Sequence, residues 1–118
     1  MVMLALKTHI REAAGGVPNV NERSVNTESE YDYGSRSGVW RLLRLFNKHN
    51  IKYVLYAVGK ALEDNPAVGI SSVKNGHDIA SQAYRWIDYH SMPPEQEKEY
   101  IKKEVEVITK ICGAPPKA

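Results

Sequence analysis

Ile51-Lys52-Tyr53-Val54-Leu55-Tyr56-Ala57-Val58 is the run that decides the fold. It is β-branched, aromatic and almost continuously apolar, which suits a strand buried on both faces, as parallel strands are. Upstream, Val39, Leu42, Leu43 and Phe46 recur at i, i+3, i+4 and i+7, with Arg41, Arg44 and Lys48 on the other side. That period predicts an amphipathic helix, capped by Ser35 or Ser37 and ended at Asn50, a residue that tolerates the left-handed turn. Downstream, Asn65-Pro66 reads as an N-cap with proline at the first helical position, and Asn75-Gly76 as the end of that helix. Gly69 and Ser71-Ser72 interrupt its apolar face. His77-Asp78-Ile79-Ala80-Ser81 predicts a second strand, and Tyr84 to Met92 a loop. Pro93-Pro94 opens a last helix in which Ile101, Val105, Ile108 and Cys112 share a face. Glu99 with Lys103 and Glu106 with Lys110 pair at i,i+4, and Gly113 with Pro115 stops it.

The order helix, strand, helix, strand, helix implies an α/β fold with parallel strands joined by right-handed crossovers. Two strands do not complete such a sheet, so the chain reads as a partial slice of a larger fold. Only one partner for the 51–58 strand is visible, and the other edge reads as bare; the isolated chain is therefore expected to be molten or self-associated. Residues 1–27 form an irregular N-terminal segment with turn formers at Gly15-Gly16 and Pro18, in which Met1 to Ala14 is read as a short amphipathic helix.

Composition narrows the class. The chain has 118 residues, 42% hydrophobic and 25% charged, as in an ordinary globular protein. Sixteen Lys and Arg against fourteen Asp and Glu leave a net charge of +2, too even to imply nucleic acid or an anionic membrane as partner. No apolar stretch approaches the roughly 20 residues needed to span a bilayer. Met1 to Leu6 meets Lys7 and His9 too soon for a secretory segment. Cys112 is the single cysteine, which excludes an internal disulfide. A cytoplasmic setting is the expectation.

The block Glu28-Ser29-Glu30-Tyr31-Asp32-Tyr33-Gly34-Ser35-Arg36-Ser37-Gly38-Val39-Trp40-Arg41 is unusual enough to be a signature. With Gly76-His77-Asp78-Ile79-Ala80-Ser81-Gln82-Ala83-Tyr84-Arg85-Trp86-Ile87-Asp88-Tyr89, it resembles the NodB-type polysaccharide deacetylase superfamily, in its cofactor-free, allantoinase-like branch. The resemblance implies that residues 28–118 are part of a distorted (β/α) barrel of seven or eight strands. It implies hydrolysis of C–N bonds other than peptide bonds, either of N-acetyl groups on amino sugars or of the cyclic amide of allantoin. A small-molecule or amino-sugar substrate follows, and homo-oligomers too, since relatives in this branch often form tetramers. The alternatives are a truncated, non-catalytic product and a carbohydrate-binding or interaction module.

Metal-dependent relatives hold a divalent ion, usually zinc, with one Asp and two His spaced by three residues. Those His positions are Gln82 and Trp86 here, so no zinc or other cofactor is expected. The branch itself lacks the second His, but Gln82 departs even from the branch. His77 reads as a strand-edge residue fixing the turn after Gly76, rather than as a substitute ligand, and Asp78 as a structural acid. Glu28, Tyr33 and Arg36 are candidate substrate-binding residues at a helix entry, where Arg36 would clamp a carboxylate or ureido oxygen; the alternative is a structural loop in which Arg36 pairs with Glu28 or Asp32. Tyr84, Arg85 and Trp86 are candidate pocket residues at the C-terminal end of the second strand, where barrel enzymes place their sites. Cys112 is read as packing.

Overall fold

The computed structural model describes the backbone of residues 2–4, residue 29 and residues 32–118. Strand β2 (Val54–Ala57) forms inside the apolar run and is the centre of a three-stranded parallel sheet. On one side it pairs with β1 (Val2–Leu4), Val2 opposite Leu55 and Leu4 opposite Ala57. On the other it pairs with β3 (Asp78–Ser81), Val54 opposite Asp78 and Ala57 opposite Ser81. The β1 pairing corrects two expectations. Val2–Leu4 is extended rather than helical, and β2 has a partner on each edge rather than one bare edge. Satisfying a neighbour's backbone groups is a long-range gain that outweighs local helical period. The remainder of 1–27 lies outside the described residues. The outer edge of β3 is also engaged, because Lys117 N–H donates to Ile79 O (3.0 Å) and Ser81 N–H to Ala118 O (2.6 Å).

Helix α1 (Val39–Lys48) continues directly from a π-helical turn, Gly34–Gly38, whose closing bond runs from Val39 N–H to Gly34 O. Neither serine caps it. The chain is already helical at Gly38, so the first amides of α1 are not free, and the Ser35 hydroxyl donates to Asp32 O instead. Val39 and Leu43 are buried, Phe46 is half-buried and Leu42 is exposed. Asn50 ends the helix with a φ of 54°, and Gly76 and Gly113 do the same for later helices at 73° and 81°.

Between β2 and β3 stand two helices, α2 (Gly59–Asp64) and α3 (Pro66–Lys74). The first is too short for a legible period, although it buries Gly59, Ala61 and Leu62. Asn65 holds the N-cap position of α3, but its Nδ2 donates to Ser35 O (3.1 Å) instead of capping. Gly69 is a place of close approach, where α3 meets α2 and the last helix, α4 (Pro94–Cys112). A Cβ there would stand 3.1 Å from Cys112 Sγ and 3.2 Å from both Ile111 Cγ2 and Leu62 Cδ2. Ser72 is buried within hydrogen-bond reach of the Tyr53 hydroxyl and of Val68 O, both at 2.8 Å.

The buried face of α4 differs from the expected one. Glu104, Val107 and Ile108 are buried, whereas Ile101 is 58% and Val105 38% exposed. The helix is turned so that Glu104 reaches the strand ends. Lys102 pairs with Glu106 at 3.9 Å, and Lys103 lies over the Tyr84 ring, 4.3 Å from its centroid, rather than beside Glu99. One core joins Leu55 and Ala57 of β2 and Ile79 of β3 to Leu62, Val68 and Ile108 of the helices. Val54 is exposed and Tyr56 half-buried, so β2 is covered fully on one face only. Among the described residues no helix is long and apolar enough to cross a membrane.

Candidate active-site face at the strand ends

The C-terminal ends of β2 and β3 lead into two structures that lock together. Gln82 N–H donates to Ala57 O at 2.8 Å, extending the parallel ladder one residue past β3. Ala83 then takes a φ of 95°, a conformation that L-residues rarely adopt and that marks local strain. This bend folds the following loop over the start of α2. Ala83 O accepts Gly59 N–H (3.2 Å) and Tyr84 O accepts Lys60 N–H (2.9 Å), so the first amides of that helix are satisfied by the loop.

The three loop candidates have distinct settings. Tyr84 is buried, with its hydroxyl donating to Glu63 Oε2 at 2.9 Å and its ring edge-on to Tyr100. Arg85 is half-buried, and both its backbone groups are held by Tyr89: N–H to the phenol oxygen at 3.3 Å, and the phenol O–H to Arg85 O at 2.7 Å. Trp86 is half-buried and packs against the core. The helix-entry candidates lie at the same end of the sheet. Helices that return chain between parallel strands begin at the C-terminal strand ends, and the Asn65–Ser35 bond ties the π-helical turn to the start of α3. There Tyr33 is exposed, and Arg36 stands 3.8 Å from Asp32. Tyr33, Arg36, Ser37, Trp40, Arg41 and Arg44 line a cavity of about 520 Å³. Glu28 lies outside the described residues.

The donor set does not fit a zinc site. A glutamine amide at 82 is a weak ligand, and the indole of Trp86, half-buried against the core, is none. Among the described residues no group of three His, Cys, Asp and Glu side chains converges to hold a cation. His77 is buried, stacked on Tyr53 at 3.8 Å between centroids, with Nε2 2.9 Å from Asn47 Oδ1. Its N–H donates to Ser72 O, the turn-fixing role, and burial, aided by the nearby Lys52 charge, holds its pKa below the usual imidazole value. Asp78 pairs with Lys117. Cys112 is half-buried against the core, as packing requires.

Glu104 escaped sequence reasoning. It is 1% exposed, both carboxyl oxygens lack a hydrogen-bond partner, and it fills the space beside Gly59 where any Cβ would overlap its Oε2. Burial pushes its pKa up to about 8, with the Glu63 charge adding to the rise, while the neighbouring Gly59 amide and Ser81 hydroxyl only partly offset it. The available signal was its position three residues after Ile101 and four before Ile108, inside the apolar stripe.

Comparisons with known proteins agree with this architecture. The family model described as polysaccharide deacetylase matches residues 22–118. A Schizosaccharomyces pombe protein described as a polysaccharide deacetylase is 46% identical over 91 residues, covering 77% of this chain and 28% of its own length. Two crystal structures, of Puue allantoinase and of a protein from Pseudomonas aeruginosa PAO1 described as a polysaccharide deacetylase, each superpose with a TM-score of 0.80 at 38% identity. Each covers 97% of this chain and 37% of its own. The chain therefore spans 28% of the length of the first of these relatives and 37% of each of the two crystal structures.

Proposed function

Because this chain belongs to the NodB-type polysaccharide deacetylase family and folds as part of its (β/α) barrel, we propose that it serves a hydrolase of C–N bonds other than peptide bonds. The reaction belongs to the C-terminal strand face, which carries the strained turn at Ala83 and the loop of Tyr84, Arg85 and Trp86, with the π-helical turn of Tyr33 and Arg36 at the same end of the sheet. One observation carries the choice of substrate. By the motif resemblance, Gln82 and Trp86 stand where metal-dependent relatives hold their two histidines, and neither suits zinc. That favours metal-free opening of a cyclic amide of the allantoin type over deacetylation of N-acetyl sugars, in line with the superposition on an allantoinase. Arg85 and Trp86 would contact the substrate, while Tyr84, turned inward to Glu63, would set the loop. The proposal includes a cytoplasmic setting and a homo-oligomeric assembly.

The test is to incubate the protein with allantoin and, separately, with N-acetylglucosamine oligomers, each with added zinc and with a chelator. Ring opening indifferent to chelator, with no acetate released from the oligomers, is the expected result. Chelator-sensitive acetate release would overturn it. A second reading, a binding module without turnover, is favoured by Gln82, which departs from the allantoinase-like branch as well; oligomer binding with no reaction on either substrate would select it.

A further inference from the structure

The cavity on the flank of α1 has a charge pattern that amide hydrolysis does not require. Its walls carry three guanidiniums, Arg36, Arg41 and Arg44, beside the phenol of Tyr33 and the indole of Trp40. No carboxylate is among the described lining residues; Asp32 stands 3.8 Å from Arg36. Arg44 has no partner among the described residues.

The π-helical turn makes this grouping. The turn runs without a break into α1, so its side chains and those of the first helical turns border one cavity. Arg36 and Arg41 are five apart, and Arg44 follows Arg41 by three along the ordinary helix. Arg41 is held in place by a bond from Nη1 to the Tyr33 hydroxyl at 2.7 Å. A neutral acceptor of that kind fixes the guanidinium without cancelling its charge. Volume and chemistry agree on the occupant: about 520 Å³ lies in the range of small-molecule sites, and guanidinium forks match carboxylate and phosphate oxygens in pairs.

We propose that this cavity, formed by the π-helical turn and the first half of α1, binds a compact polyanion bearing at least two carboxylate or phosphate groups. The site shares Tyr33 and Arg36 with the proposed active-site face and so extends that reading, although binding of the anion needs only the groove and its cations.

Calorimetric titration of the 118-residue chain with inorganic pyrophosphate and, separately, with tricarballylate tests it, alongside an NMR reading of the Trp40 indole N–H. Saturable one-to-one binding of either probe, with a shift of that indole signal, is expected, and the preferred probe tells phosphate from carboxylate. Arg41→Gln and Arg44→Gln should each weaken binding about tenfold or more, because a charge-assisted contact is lost. Tyr33→Phe should weaken it less, by releasing Arg41 without removing charge. Lys98→Gln and Lys102→Gln on α4 serve as equal-charge controls and should leave binding unchanged. All five positions are exposed, so the variants are expected to fold, and a far-ultraviolet spectrum checks this. No saturable binding of either probe, or an equal loss in the lysine variants, would overturn the proposal.

Discussion

Glu104 and His77 are two buried titratable side chains whose shifts oppose one another across neutral pH. The folded chain keeps a proton on Glu104 up to about pH 8, whereas the unfolded chain releases it near 4.5. Between those values the folded state binds more protons, so stability falls as pH rises, by up to about 5 kcal/mol at 1.36 kcal/mol per unit. His77 works the other way. Its folded pKa lies below the ordinary 6.5, so its contribution is intact above that pH and is lost as pH falls below it. Urea unfolding from pH 5 to 9 should therefore show a decline toward alkaline pH. Glu104→Gln should flatten that decline and leave the variant more stable than the parent at pH 8. Parent and variant profiles that run parallel would dismiss Glu104 as the source.

Helices α3 and α4 are joined at a seam whose width is set by Gly69. Alanine there would gain about 0.5–1 kcal/mol of helix propensity. It would also press a methyl group against Cys112, Ile111 and Leu62 at 3.1–3.2 Å, and overpacking of a filled core costs about 1–3 kcal/mol. The second effect wins, because two of the three contacts belong to α4, which is itself held against the strand ends by the packing of Glu104 beside Gly59. Gly69→Ala should lower stability by about 1 kcal/mol. Cys112→Ala in the same background should recover part of that loss, so that a double-mutant cycle gives a favourable coupling. Strict additivity of the two changes would mean that the seam has room to spare.

Across the whole molecule, every strand edge that is engaged depends on segments far away in sequence. β1 comes from the first residues and closes one edge of β2, while Lys117 and Ala118 run along β3, aided by the Lys117–Asp78 pair. Parallel edges left open invite pairing with other chains. Removing residues 117 and 118 should accelerate hydrogen exchange at the Ser81 amide and increase light scattering at high protein concentration. Unchanged protection of Ser81 would show that the tail contributes nothing to that edge. The molten or self-associated state expected from a bare edge on β2 loses its premise, since β2 is paired on both sides.

What the sequence determined by itself was local. The periods of 39–48 and 94–112, the apolar run around Val54–Ala57, the Asn65-Pro66 entry and the left-handed stops at Asn50, Gly76 and Gly113 all depend on neighbours within a turn or two. Tertiary structure alone decided the rest. A three-residue strand at 2–4 has no period to read, and only its register with Leu55–Ala57 makes it a strand. Glu104 looked like one more charge on a solvated helix until Gly59, forty-five positions away, left the hole that it fills. Gly69 looked like a defect until α4 was packed against it. In each case the deciding quantity is a distance between residues that the chain order keeps apart, and no local preference encodes it.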